Sequence, residues 1–283
     1  MTSQLNAPKK PFPIAGVFLI LYALASLTNS LISLISFIFR DLALYLEYLG
    51  LSDVVINLLL RIPPVLIGIT ALVLAIVLFI KRSGLSVAIA LTAFAFTNCL
   101  QFLLIAFRNT EYIINNITVF IKYTEITNLF YSISSLSYVS ELFFIALALI
   151  ILTVIAFLLM KPERCKSFLT KLWVVSLVLF VISFALSGTS LVIDVISTLD
   201  NGYSLDIYYI YSSCATSFIS FLALLAHMFL AIWFGRLASY RRKLQAYEAA
   251  TPIETTAADV SEAPSLITET IPVSDSETAS AEQ

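Results

Sequence analysis

The groups able to do chemistry in this chain are few and stand inside apolar runs: Asn29, Asn98, Gln101, Asp194 and His227, with serines spaced between them. A lone histidine cannot build a multi-histidine metal site, and Cys99, Cys165 and Cys214 show no paired metal spacing, so no metal is expected. The chain has no P-loop, G-x-G-x-x-G, H-E-x-x-H or G-x-S-x-G pattern, so no cofactor and no catalytic residue is assigned. What remains is proton exchange at a carboxyl or imidazole, and hydrogen bonding by amides and hydroxyls.

The spacing places these groups on helical faces. Ser176, Ser183, Ser187, Ser190, Asp194 and Ser197 repeat as one side of a helix, and so do Tyr22, Ser26, Asn29, Ser33 and Ser36. Ser213, Ser217, Ser220 and His227 form a third stripe, and Thr97, Asn98 and Gln101 cluster. Two readings follow. The stripes could line a polar path from Asp194 inward past Asn29, Asn98, Ser187 and Ser220 to His227. Alternatively, Ser183-x-x-x-Ser187 and Ser213-x-x-x-Ser217 are small-residue patterns that let membrane helices approach closely, and packing is the preferred reading of the set.

The elements that must position these residues are membrane helices. The chain is 60% apolar and 12% charged, with a mean hydropathy of +0.97, far from the roughly 25% charged content of soluble domains. The expected fold class is all-α, a six-helix transmembrane bundle over residues 14–243, with spans at about 14–39, 63–80, 85–107, 141–160, 171–197 and 210–234. Residues 1–13 form a polar N-terminal segment. The first span reads as a retained signal anchor rather than a cleaved signal peptide. Residues 112–135 are a candidate seventh span, opposed by Lys122 and Glu125 near its centre. Pro63 and Pro64 are expected to open the second span, and Glu141 to supply a favourable charge at the start of the fourth. Spans two and four have few interior polar groups, so spans one, three, five and six are expected to form the inner bundle.

Charge sets the orientation. Twelve of the 16 basic residues fall on one side of the six spans, including Arg236, Arg241, Arg242 and Lys243, which mark topology or hold lipid headgroups. Both termini are therefore expected to be cytoplasmic, in a plasma membrane. Residues 244–283 read as a disordered acidic tail. In a eukaryotic host Asn116, in an Asn-Ile-Thr sequon, would lie on the outer side.

Expected partners are the lipid bilayer and, through helix contacts, further copies or other membrane proteins; nothing points to nucleic acid. The functional expectation is a non-enzymatic protein with an assembly, sensing or scaffold role through its helices and tail. The alternative is a small-solute or proton-coupled transporter using a polar path between spans one, three, five and six.

Overall fold

The computed structural model describes residues 10–41, 51–81, 84–124, 126–160, 171–200 and 207–250. Six helices long and apolar enough to cross a membrane occur among them. These are α1 (Ile14–Ser36), α2 (Leu51–Lys81), α3 (Leu85–Tyr123), α4 (Ile126–Leu158), α5 (Leu172–Asp200) and α6 (Ile207–Ala250). A five-residue π-helical turn, Phe37–Asp41, ends α1. The expected tail lies outside the described residues, as does the connector between the fourth and fifth spans.

Each helix packs against its neighbours in the chain, and α1 closes against α6, so the six form a ring in chain order. Helical backbone suits this medium because every peptide group is satisfied within its own segment. Small residues then let the helices approach. Ala15, Ala23, Ala71, Ala75, Ala88, Ala148 and Ala226 are all buried. At Gly68 in α2 an added Cβ would stand 2.6 Å from Leu27 Cγ of α1, and at Gly235 in α6 it would stand 2.7 Å from the Trp173 ring of α5. The α2–α3 turn contains Gly84, whose φ of 109° suits a residue without a Cβ.

Four features differ from the sequence expectation. The third helix does not stop near 107 nor the fourth start near 141: residues 112–135, which add no seventh span, belong to long extensions of α3 and α4 that meet near Thr124, in a left-handed conformation. The amphipathic Ile, Tyr and Ser pattern there suffices to pair two helices, so the chain need not leave helical geometry at Arg108. Glu141 accordingly sits fifteen residues into α4 instead of at its start. Pro63 and Pro64 lie inside α2, because the helix begins at Leu51. Their missing N–H groups leave the carbonyls of Leu59 and Leu60 without the usual helical donor.

The fourth difference concerns which spans are buried. The fourth and second span windows are 44% and 39% buried, against 17% for the fifth and 22% for the first. A scarcity of polar residues does not send a helix to the lipid, since an apolar side chain is as well suited to a packed bundle interior as to acyl chains.

Arg61 ties the outer ends of α1 and α2 together. Its guanidinium donates to the Ser33 carbonyl at 2.9 Å and to the Ser33 hydroxyl, and lies 4.6 Å from the Phe37 ring centroid.

Candidate functional site

The serine stripe of α5 divides into two functions. Ser176 Oγ donates to the Ala148 carbonyl at 3.2 Å, Ser183 Oγ lies 3.4 Å from the Glu141 carbonyl, and Ser190 Oγ shares a 3.0 Å hydrogen bond with Ser134 Oγ. The partners are seven residues apart on both helices and run in opposite directions, so they form a ladder between antiparallel α4 and α5. Ser183 also donates to its own Leu179 carbonyl at 2.9 Å. Ser176 and Ser183 pack helices, and the Ser190–Ser134 rung does so while also facing the open space beside Ser187. Ser187, one turn beyond Ser183, turns to a different neighbour.

That neighbour is a cavity of about 720 Å³. Leu60 and Pro64 of α2 form one wall, so one of the two carbonyls left free by the prolines belongs to a residue on the cavity surface. From α3 come Gln101, Ile105 and Arg108; from α4, Ser134, Tyr138 and Glu141. Phe184 and Ser187 of α5, with Ser217, Ser220 and Leu224 of α6, complete it. No residue of α1 takes part. The volume is that of a site for a small organic solute.

Glu141 is the chemical centre of this cavity. It is 7% exposed, and its side chain is hydrogen bonded by Ser187. Beside it Tyr138 is hydrogen bonded to Gln101. A carboxyl in the middle of a membrane helix without a basic partner is costly when ionised, and the cost falls when a proton or a ligand's cation neutralises it. The sequence identified Glu141 only as a helix-terminal charge. The missed signal was that Ser134, Ser137, Tyr138 and Glu141 fall on one side of a helix that begins before them.

Away from the basic cluster the cavity lining extends to Arg108, Asn109 and Leu191, and toward that cluster its deepest residues stand above an aromatic layer. His227 lies three residues below Leu224 and is 1% exposed. Its ring stacks on Phe94 and Phe180, with centroids 5.6 and 5.2 Å away, and Tyr22 lies 6.0 Å off. Among the described residues no side chain hydrogen-bonds the imidazole, which faces the Ala223 carbonyl of its own helix. Phe180 is four residues below Phe184, about 6 Å along the axis, and Phe94 is seven below Gln101, about 10 Å. The layer therefore forms a plug about one to two turns below residues that line the cavity.

The candidate residues are thus distributed over several environments. Gln101, Ser187 and Ser220 meet in the cavity. Ser183 packs α5 on α4. Asn98 is buried and donates from Nδ2 to its own helix at the Phe94 carbonyl, 2.8 Å away, and Asn29 faces outward from α1. His227 lies in the plug. The Asp194 side chain lies outside the described residues. Asn116 is half-buried on the α3 extension with its amide nitrogen covered, and Thr118 of the sequon donates to the Ile114 carbonyl at 2.8 Å. Arg236, Arg242 and Lys243 are exposed and Arg241 is half-buried along α6, all on the basic side. No group of three or more metal-ligating side chains occurs among the described residues.

Six apolar helices of membrane length closed into a ring define a multi-pass helical membrane protein. Compared with known protein families, curated proteins and solved structures, the chain matches none of them.

Proposed function

We propose that this chain is a non-enzymatic carrier of small polar solutes in the cell membrane, with Glu141 as the group that exchanges a proton for the solute's cationic end. The observation that carries this reading is the buried carboxyl on the wall of a solute-sized cavity, with an apolar and aromatic plug between that cavity and the basic side. A carrier needs a site near the middle of the membrane that is open to one side and closed to the other. Prolines within α2 and an uncommitted carbonyl beside the cavity suit a helix that changes shape as the site turns. This reading rests on a cavity lined from α2 to α6, where the sequence suggested a path between spans one, three, five and six.

Cysteine accessibility tests it. In protein lacking Cys99, Cys165 and Cys214, single cysteines at Ser187 and Ser220 should react with a membrane-impermeant thiol reagent from the outer side. A slower reaction should follow from the basic side, and cysteines at Ser183 and Ala226 should stay unreactive. Reaction from the outer side alone would make the cavity a receptor site and leave a sensing or scaffold role. No reaction at Ser187 or Ser220 from either side would mean a dry bundle.

A further inference from the structure

Arg108 lines the same cavity as Glu141. The Phe102 and Phe143 rings, 5.5 Å apart, set α3 and α4 in register at that level. Glu141 is two residues outward of Phe143 on α4, and Arg108 is six residues outward of Phe102 on α3. Arg108 thus enters about one helical turn above the carboxyl, ~6 Å along the bundle axis. Among the described residues neither charge is neutralised by the other or by a third group. Neutral hydrogen-bonding groups, Gln101, Tyr138 and Ser187, line the cavity with them.

Resting on the carrier reading, we propose that the cavity's ligand is a small zwitterion of the amino-acid type, its ammonium on Glu141 and its carboxylate on Arg108. The two protein charges have opposite sign and sit on different helices at different depths, so a ligand with one charge leaves one of them uncompensated. A zwitterion neutralises both. The guanidinium at the mouth is exposed and can take a carboxylate in its two-pronged geometry, whereas the buried carboxyl below suits a compact ammonium. The order also suits entry, since the carboxylate stays near water while the cation descends.

The test measures protection of the Ser220 cysteine from the thiol reagent by glycine, 4-aminobutyrate and 6-aminohexanoate, against butylamine, butyrate and glycerol, in full-length protein. At least one zwitterion should protect about tenfold more strongly than butylamine or butyrate. Arg108→Gln should reduce that zwitterion to the level of butylamine without changing butylamine itself, and Arg108→Lys should restore part of the difference. Glu141→Gln should remove protection by zwitterion and amine alike. If butylamine protects as well as the zwitterions and Arg108→Gln changes nothing, the site takes simple cations; the zwitterion assignment then fails while the carrier reading stands. If no probe protects a cysteine that the reagent reaches, the zwitterion assignment fails. If the reagent does not reach it, the carrier reading fails as well.

Discussion

Along a single stripe of serines, Ser176 and Ser183 pack α5 on α4 and Ser187 faces the cavity, while Ser190 does both. Replacing Ser176, Ser183 and Ser190 by alanine removes three interhelical hydroxyl contacts, at 3.2, 3.4 and 3.0 Å. Interhelical hydrogen bonds in membranes contribute about 0.6 kcal/mol on average, with a ceiling of about 1.7. Ser183 belongs at the low end, because its stronger bond goes to its own Leu179 carbonyl. Successive rungs are seven residues apart, about 10 Å, far enough for their effects to add. The triple variant should therefore lose about 2 kcal/mol, each single change about 0.3 to 1 kcal/mol. The assay is reversible denaturant unfolding in mixed micelles, with Ser187→Ala alongside. Ser187 meets the cavity and Glu141 and lies off the ladder, so its replacement should shift ligand protection of a cysteine placed at Ser220, with little loss of stability. A triple variant as stable as the parent, or a Ser183→Ala variant that loses protection while Ser187→Ala keeps it, would refute the division of the stripe.

Further outcomes follow from the helix contacts. Gly68→Ala places a Cβ 2.6 Å from Leu27 Cγ; overpacking of about 1–3 kcal/mol should outweigh the ~1 kcal/mol gained in helix propensity. Leu27→Ala in the same chain should recover most of the loss in the same unfolding assay. Arg61→Ala removes a charged hydrogen bond to the Ser33 carbonyl and the contact with Phe37, and should cost about 2 kcal/mol. Arg61→Lys should recover less than half, because an ammonium reproduces the two-pronged contact poorly. Full stability of Arg61→Ala would mean that the clamp contributes nothing.

The sequence by itself determined that this is a six-span helical membrane protein, and which residues carry polar groups within the spans. Both are local properties: a long apolar run has few stable conformations in a bilayer, and a 3.6-residue repeat assigns each serine to a face. It could not assign those faces to neighbours. Ser183 and Ser187 belong to the same stripe, yet one meets the Glu141 carbonyl and the other a cavity, a distinction made by where α4 and α6 pass. The position of Glu141 depended on α4 beginning at Ile126, through a segment polar enough to be left outside the six spans. Partner helices decided that, since the serines there are accepted in a helix because Ser190 and the bundle satisfy them. The aromatic plug is likewise tertiary. Tyr22, Phe94, Phe180 and His227 are distant in sequence and ordinary in context, and only the closure of the ring from α6 back to α1 brings them together beneath the cavity.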